Sequence, residues 1–111
     1  LRRNEAVAMQ GDRPTGERGD TPVDFFGAPG AFPIGPFVLA RAAGAPVVPA
    51  FCAMTPEGRY RISMEPPIWV KSGEEGAALA TAVGALERAI RRHPTQWFNF
   101  FDVWSASRAA A

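Results

Sequence analysis

The sequence predicts an α/β fold, and three observations support this prediction. Two apolar runs, Ala6 to Met9 and Val47 to Met54, have the composition of strands that are buried on both faces. Between them, a helix is predicted over Pro36 to Ala43, because proline suits the first helical position and Gly44 suits the residue after a helix end. A hairpin and a longer amphipathic helix follow, so strands and helices alternate along the chain.

Composition limits what the chain can be. Its 111 residues suffice for one small domain with a modest core. Hydrophobic residues make up 47% and charged residues 21%, which is typical of a globular protein. A net charge of +1 gives no general footprint for nucleic acid. Cys52 is the only cysteine, so an internal disulfide and a zinc site of several cysteines are excluded, and a buried free thiol in a reducing compartment is expected.

The chain contains no signal peptide and no apolar run that approaches the roughly 18 residues of a membrane span. It opens with Leu1-Arg2-Arg3-Asn4-Glu5, without a methionine, which is typical of a helix end that runs into a strand. We therefore expect an N-terminal part of the domain, with any catalytic group in it, to be missing from this sequence.

The first half contains a long loop between two predicted elements. Gly11 to Thr21 is rich in glycine and charged residues and is long for a mere connection, which favours a functional or mobile loop. Val23 to Phe26 is predicted as a short strand, followed by a turn at Pro29-Gly30. In the first helix, Phe37, Ala40 and Ala43 share one face and are expected to dock on a sheet.

The second half predicts a hairpin. Pro49 implies that the strand from Val47 to Met54 is interrupted there or lies at an edge. A turn over Thr55 to Gly58 leads into a partner strand, Arg59 to Glu65. Its alternation puts three apolar side chains on one face and polar side chains on the other: Tyr60, Ile62 and Met64 against Arg61, Ser63 and Glu65.

The long helix begins with a capping-box pattern, Ser72 with Glu75, and ends at His93-Pro94. One face is apolar at helical spacing: Leu79, Ala82, Val83, Leu86 and Ile90. Its basic end complements the helix dipole, with attraction to an anionic membrane surface as the alternative. The aromatic tail from Gln96 to Trp104 either covers the core or forms an apolar wall, and 105–111 is expected to be a frayed end.

Five short motifs in order resemble the lipid A biosynthesis acyltransferases, a branch of the lysophospholipid acyltransferase superfamily. They are Val7-Ala8-Met9-Gln10-Gly11-Asp12-Arg13, Val23-Asp24-Phe25-Phe26-Gly27, Phe32-Pro33-Ile34-Gly35-Pro36 with Leu39-Ala40, Gly44-Ala45-Pro46-Val47-Val48-Pro49-Ala50-Phe51 and His93-Pro94-Thr95-Gln96-Trp97. Each is weak alone, but their order and spacing span nearly the whole chain. The resemblance implies that residues 1–111 are the C-terminal part of a single acyltransferase domain. The implied fold is a glycerol-3-phosphate-acyltransferase-like α/β sandwich, a mixed sheet with flanking helices.

The resemblance also implies an activity. It is transfer of a fatty acyl chain from acyl carrier protein or coenzyme A to a hydroxyl of a lipid acceptor, such as a lipid A precursor or a lysophospholipid. No metal and no cofactor besides the acyl thioester are implied, and the expected location is the cytoplasmic face of a bacterial inner membrane. Catalysis in this family uses His followed five positions later by Asp or Glu. Because His93 is followed at that spacing by Phe98, no catalytic residue is expected here and the chain alone is expected to be inactive.

Substrate binding is expected at two loops, through Asp12, Arg13, Phe32, Pro33 and Gly35. Asp12-Arg13 occupies the position where the superfamily has an acidic and basic pair after a strand, and Arg suits bidentate recognition of phosphate. The turn from Phe32 to Pro36 offers backbone amides at a helix start, although Pro36 itself has no N–H. The structural alternatives are an Asp12–Arg13 pair that caps its own loop, and a tight turn at Gly35.

Two other functions remain open from the sequence. The chain could be a non-catalytic module that binds a lipid or a protein partner, and a His-x4-Asp or His-x4-Glu upstream of Leu1 would distinguish the enzyme from such a module. A hydrolase of similar α/β build is the other candidate. The absence of a Gly-x-Ser-x-Gly elbow argues against the hydrolase.

Overall fold

The computed structural model describes residues 1, 3–16, 18–99 and 102–104, which form two β-hairpins and two α-helices. The elements are β1 (Asp20–Phe25), β2 (Ala28–Pro33), α1 (Gly35–Ala43), β3 (Ala50–Met54), β4 (Tyr60–Met64), α2 (Glu75–Arg92) and a final 3-10 turn (Pro94–Gln96). β1 pairs with β2 and β3 with β4, both antiparallel. The predicted α/β class is confirmed. Within the described residues the strands form two small antiparallel sheets, where one mixed sheet was expected.

The first hairpin confirms a strand in this region, but the strand runs over Asp20–Phe25, whereas Val23 to Phe26 was predicted. The predicted turn at Pro29-Gly30 is wrong, because both residues belong to β2. The chain instead reverses at Phe26-Gly27, where φ is 50° and 83°. A two-residue connection with φ positive at both positions matches the right-handed twist of the flanking strands, and it overrides the turn preference of the Pro-Gly pair.

The register of this hairpin explains how it accommodates three prolines. The pair that flanks a two-residue turn is hydrogen-bonded, and in an antiparallel ladder every second pair is not. The prolines all fall on the non-bonded pairs, where an absent N–H costs no ladder bond: Pro22, Pro29 and Pro33. Ala31 also lies on a non-bonded pair, and its outward N–H donates to the carbonyl of Val103 at 3.3 Å.

The first helix ends at Ala43 as predicted and begins one residue earlier than predicted, at Gly35. Its C-cap is Gly44, whose φ of 67° places it in the left-handed region, and the Gly44 N–H closes the last turn. Phe37 and Ala40 are buried as expected, whereas Ala43 is exposed. An ion pair between Arg41 Nε and Glu75 Oε1 joins this helix to the first turn of α2.

The second hairpin is also confirmed, with a later start for β3. Pro49 lies opposite Glu65 and its carbonyl accepts from the Glu65 N–H at 2.9 Å, but proline has no N–H to complete the pair, so the strand begins at Ala50. Tyr60, Ile62 and Met64 share a face as predicted, yet that face is 66–73% exposed. Cys52 is exposed too, so the prediction of a buried thiol is wrong: nothing in the described chain covers this side of the hairpin.

The second helix confirms the apolar face and corrects the cap. Leu79, Val83 and Leu86 are buried, and Ala82 and Ile90 pack beside them. The capping box from Ser72 is wrong, because the helix begins at Glu75 and no side chain caps it. A turn precedes it instead, with Gly73 at φ 83° and a bond from the Glu74 N–H to the Lys71 carbonyl at 2.9 Å.

The core is centred on Phe25. Its ring meets Phe32 edge-on at 5.1 Å and Trp97 at 5.5 Å between centroids. The indole N–H of Trp104 donates to the Phe25 carbonyl at 3.0 Å, and Val103 is fully buried. Of the two roles expected for the aromatic tail, these residues cover the core. The tail residues 100–101 and the predicted frayed end at 105–111 lie outside the described residues.

The predicted strand at Ala6–Met9 is wrong. The segment is extended, but Val7 and Met9 are 57% and 54% exposed, and no described strand pairs with it. A strand needs a neighbour to satisfy its N–H and C=O groups, so composition alone does not form one. The segment follows a turn closed by Asn4 at φ 59°, which agrees with the helix-end chemistry expected at the start of the chain.

Candidate functional site

Asp12 and Arg13 lie where the first loop meets the C-terminal segment. Arg13 Nε is 3.5 Å from Asp12 Oδ1, so the two residues form the pair considered as the structural alternative. The Trp97 indole N–H donates to Asp12 Oδ2 at 3.3 Å, and Arg13 donates to the Phe98 carbonyl at 3.4 Å. Two motifs that stand 85 residues apart in the sequence are thereby brought together.

The rest of this loop is organised by Asp20, the first residue of β1. One of its carboxylate oxygens accepts from both the N–H and the hydroxyl of Thr15 at 2.9 Å, and the other accepts from the Gly16 N–H at 2.7 Å. Such an Asp-centred turn fixes a glycine-rich segment without regular secondary structure. The long loop is therefore tied at both ends, by Asp12 to Trp97 and by Thr15 to Asp20.

The second predicted loop contributes fewer amides than expected. Phe32 and Pro33 are buried; Phe32 belongs to the β1–β2 ladder and Pro33 has no N–H. The Ile34 N–H donates to the Gly19 carbonyl at 2.9 Å. Among the described residues of this turn, the Gly35 N–H alone has no protein acceptor, and Gly35 is exposed. The anion-binding potential of the turn thus rests on one amide at the start of α1.

An apolar groove of about 770 Å³ adjoins both loops. Asp12 and Pro36 each line it, so the two predicted loops border the same space. Its floor is the apolar face of α2, and its sides are the extended segment at residues 7–12 and the residues of β3. The volume falls within the usual range for ligand pockets, and the walls are mainly hydrocarbon.

Gln96 is a residue that sequence reasoning did not single out. Its side-chain carbonyl accepts from the Met54 N–H at 2.7 Å, and its amide N–H donates to the Met54 carbonyl at 3.1 Å. A primary amide can complete both backbone hydrogen bonds of one residue, as a neighbouring strand would. Its position within the His93–Trp97 motif was the only signal that pointed to it.

The single histidine keeps the structural role expected of it. His93 is the exposed C-cap of α2, and its backbone N–H bonds to carbonyls of the last helical turn. In the described ranges, no group of three or more His, Cys, Asp or Glu residues could hold a metal ion. No helix in the described part of the chain is long and apolar enough to cross a membrane.

The basic end of α2 also contacts the first hairpin. The Arg91 guanidinium lies over the Phe26 ring, 5.1 Å from its centroid, and the Phe26 N–H donates to the Glu87 carboxylate. These contacts support the strained turn residue from the adjacent helix. They give Arg91 a role within the fold.

The fold and the site define an α/β chain in which an acidic and basic pair is held by the C-terminal motif, and the acidic member, Asp12, lines an apolar groove. Such a combination suits a ligand with a charged head and a hydrocarbon part. The chain belongs to the bacterial lipid A biosynthesis acyltransferase family, whose model matches residues 1–105. The family resemblance seen in the motifs is therefore confirmed.

Two relatives extend this finding. The chain is 32% identical, over 107 residues, to a phosphatidylinositol mannoside acyltransferase of Mycobacterium tuberculosis strain CDC 1551, and it matches the same protein of strain H37Rv to the same extent. The match covers 96% of this chain and 33% of each relative. The chain thus spans about a third of the length of these relatives.

Proposed function

We propose that this chain is the acceptor-binding part of an acyltransferase that moves a fatty acyl chain from acyl carrier protein or coenzyme A to a hydroxyl of a lipid. The observation that carries the proposal is the setting of Arg13. Its guanidinium is held by the C-terminal segment and by Asp12, which lines an apolar groove, while 39% of the Arg13 side chain stays exposed. Family membership supports the acyl-transfer chemistry.

Arg13 binds the charged head of the acceptor. A planar guanidinium pairs two N–H donors with two oxygens of a phosphate or carboxylate. Asp12 orients the guanidinium and prevents it from reaching other carboxylates. The Gly35 N–H, at the start of α1, adds one donor at the positive end of a helix dipole.

The acceptor is a phosphate-bearing lipid of one of three classes. Family membership supports a lipid A precursor, the wider superfamily resemblance supports a lysophospholipid, and the name of the two relatives supports a phosphatidylinositol mannoside. We place the reaction at the cytoplasmic face of a bacterial inner membrane, where such lipids are met by a soluble acyl thioester.

The chemistry needs a base that this chain does not supply. The acceptor hydroxyl attacks the thioester carbonyl, its proton passes to a base, and the thiol leaves with a proton as the ester forms. His93 has Phe98 at the position where the family has a carboxylate. The base therefore belongs to a part of the acyltransferase outside residues 1–111.

The test is steady-state kinetics of an acyltransferase polypeptide that includes this chain, with acyl carrier protein thioester as donor and a phosphate-bearing lipid as acceptor. Arg13→Ala should raise the KM for the acceptor about tenfold or more, with kcat changed less than about threefold, because head-group binding is lost in ground and transition state alike. The KM of Arg13→Lys for the acceptor should lie between the wild-type and Arg13→Ala values, since Lys cannot form the bidentate pair.

Arg18→Ala is the matched control, because Arg18 is an exposed arginine of the same loop that lies away from the Asp12–Trp97 contact. Its KM should stay at the wild-type value. An Arg13→Ala variant that loses only thermal stability, with KM unchanged, would show that the Asp12–Arg13 pair is structural.

A further inference from the structure

The two ends of the β3–β4 ladder fix which backbone groups face outward. The Glu65 N–H bonds to the Pro49 carbonyl at 2.9 Å, and the Thr55 N–H bonds to the Arg59 carbonyl at 2.7 Å. Hydrogen-bonded and non-bonded pairs alternate in an antiparallel ladder. Counting from either end, the N–H and C=O groups of three β3 residues point away from β4: Ala50, Cys52 and Met54.

The outward N–H and C=O groups of one of these residues, Met54, already have hydrogen-bond partners. The Gln96 side-chain amide bonds to both the N–H and the carbonyl of Met54, at 2.7 and 3.1 Å. The outward groups of Ala50 and Cys52 have no partner within the described part of the chain. This outer edge of β3 is therefore open just where the Gln96 contact ends.

The open edge faces the groove, and a second unpaired segment borders the same groove. Ala50 and Cys52 line it, and so do the exposed residues Val7 and Met9, whose segment has the composition of a buried strand. Buried side chains of α2, Leu79 and Val83 among them, form the floor. A space bounded by two strand-forming segments and an apolar helix face has the surroundings of an interior strand of an α/β sheet.

Several large apolar side chains line this space and stay exposed. Among the described residues, thirteen large hydrophobic side chains are exposed, whereas eleven hydrophobic residues are buried and four of those are alanines. Five of the thirteen line the groove: Leu1, Val7, Met9, Leu39 and Val48. Large exposed apolar patches mark interaction sites in soluble proteins.

We propose that the groove holds a further β-strand, added to the outer edge of β3, and that this strand comes from acyltransferase polypeptide outside the third that the relatives share with this chain. The relatives carry about twice as much chain outside the match as within it, since the match covers 33% of each. The inference rests on family membership and on this length, not on the reaction proposed above, so either can fail without the other.

A fatty acyl chain fits the groove less well than a strand does. It would match the apolar walls, but it would bury the outward N–H and C=O groups of Ala50 and Cys52 without partners, which is unfavourable. A strand pairs both residues and packs its side chains on α2. The outer edge of β4 is a weaker site, because all five residues of that strand are exposed and none of them lines the groove.

Amide hydrogen exchange by NMR on the 111-residue chain tests the open edge. In the chain alone, the Ala50 and Cys52 amides should exchange at least tenfold faster than the Phe51 and Ala53 amides, which face β4. The probe is the two thirds of the Mycobacterium tuberculosis relative outside the match, co-expressed with this chain. In the complex, the Ala50 and Cys52 amides should slow at least tenfold, and the Cys52 thiol should resist labelling.

A pair of proline variants locates the added strand. Cys52→Pro removes an outward donor from the β3 edge and should weaken association at least tenfold. Ile62→Pro, at the position paired with Cys52, makes the same change at the β4 edge and should leave association within about threefold of wild type. Ala50→Pro repeats the first test at the start of the strand, where proline is well tolerated.

Three results would overturn the proposal. The first is a wild-type chain that does not co-purify with the relative's segment. The second is equal association of the Cys52→Pro and Ile62→Pro variants. The third is protection of Ala50 and Cys52 that rises with the concentration of the chain alone, because the strand would then come from a second copy.

Discussion

At the scale of single residues, the contact between Asp12 and Trp97 holds the candidate site together. It joins the loop after residue 11 to the C-terminal motif, and Trp97 in turn packs on Phe25 in the core. The position of Arg13 therefore depends on an indole that no local sequence pattern would have connected to it. The binding role proposed for Arg13 therefore depends on the packing of the aromatic tail.

Asp12→Ala should lower the free energy of unfolding by about 1–2 kcal/mol, because it leaves a half-buried indole N–H without its acceptor. The measurement is urea denaturation, and Asp24→Ala, at an exposed aspartate of β1, should change stability by less than about 0.5 kcal/mol. In a double-mutant cycle with Trp97→Phe, the coupling energy should be about 0.5 kcal/mol or more. A coupling energy near zero would contradict this contact.

The residues of the two predicted loops show what sequence can and cannot give at this scale. Loop position and side-chain chemistry single out Asp12, Arg13 and Gly35, whose role in binding stays a prediction. Phe32 and Pro33 were placed in the same loop, but they belong to the buried end of β2, because the hairpin turn lies at Phe26-Gly27. Gln96 was not singled out, since its two bonds go to a strand 42 residues away in the sequence.

At the scale of elements, two glycines differ in whether the backbone conformation at their position requires a glycine. Gly27 has φ of 83°, whereas Gly35 has no positive φ and open space around its missing side chain. Gly27→Ala should destabilise the chain by about 1–2 kcal/mol, because L-residues are strained in the left-handed region. Gly35→Ala should stabilise it by about 0.5–1 kcal/mol. The measurement is thermal unfolding of both variants. Shifts of the melting temperature with the same sign would contradict a left-handed turn conformation at Gly27.

A second element-scale prediction concerns the link between the C-terminal motif and the second hairpin. Gln96→Ala removes both bonds to Met54 and should cost about 1–2 kcal/mol in unfolding free energy. Gln96→Glu should be no better, because a carboxylate would face the Met54 carbonyl. Thr95→Ala, at the exposed neighbour, is the control and should shift stability by less than about 0.5 kcal/mol. Equal losses of unfolding free energy at positions 95 and 96 would argue against the two bonds between Gln96 and Met54.

Elements whose signals are local were predicted well. Pro36 and Gly44 fix the ends of α1, and the apolar spacing fixes α2. The strand at Ala6–Met9 failed for a physical reason: apolar composition describes a strand with neighbours, and the described chain gives this segment none. The exposure of Cys52 has the same cause, since its face of the second hairpin is uncovered.

At the scale of the whole molecule, two hairpins and two helices share a small core. The core gathers on one side of the hairpins, around Phe25 and α2, and the other side exposes Cys52 and the apolar residues of β4. Sequence could supply the α/β class and the acyltransferase family, because both depend on motif order. It could not supply which strands pair, because pairing depends on residues far apart in the chain.

We propose that this chain binds the acceptor while the catalytic base lies outside residues 1–111, and an acyl-transfer assay tests this directly. The 111-residue chain alone should form no ester from a radiolabelled acyl carrier protein thioester and a phosphate-bearing lipid acceptor. The same chain within an acyltransferase polypeptide that carries the His-x4-Asp or His-x4-Glu element should form it. Ester formation by residues 1–111 alone, abolished by His93→Ala, would contradict the claim and place the base at His93.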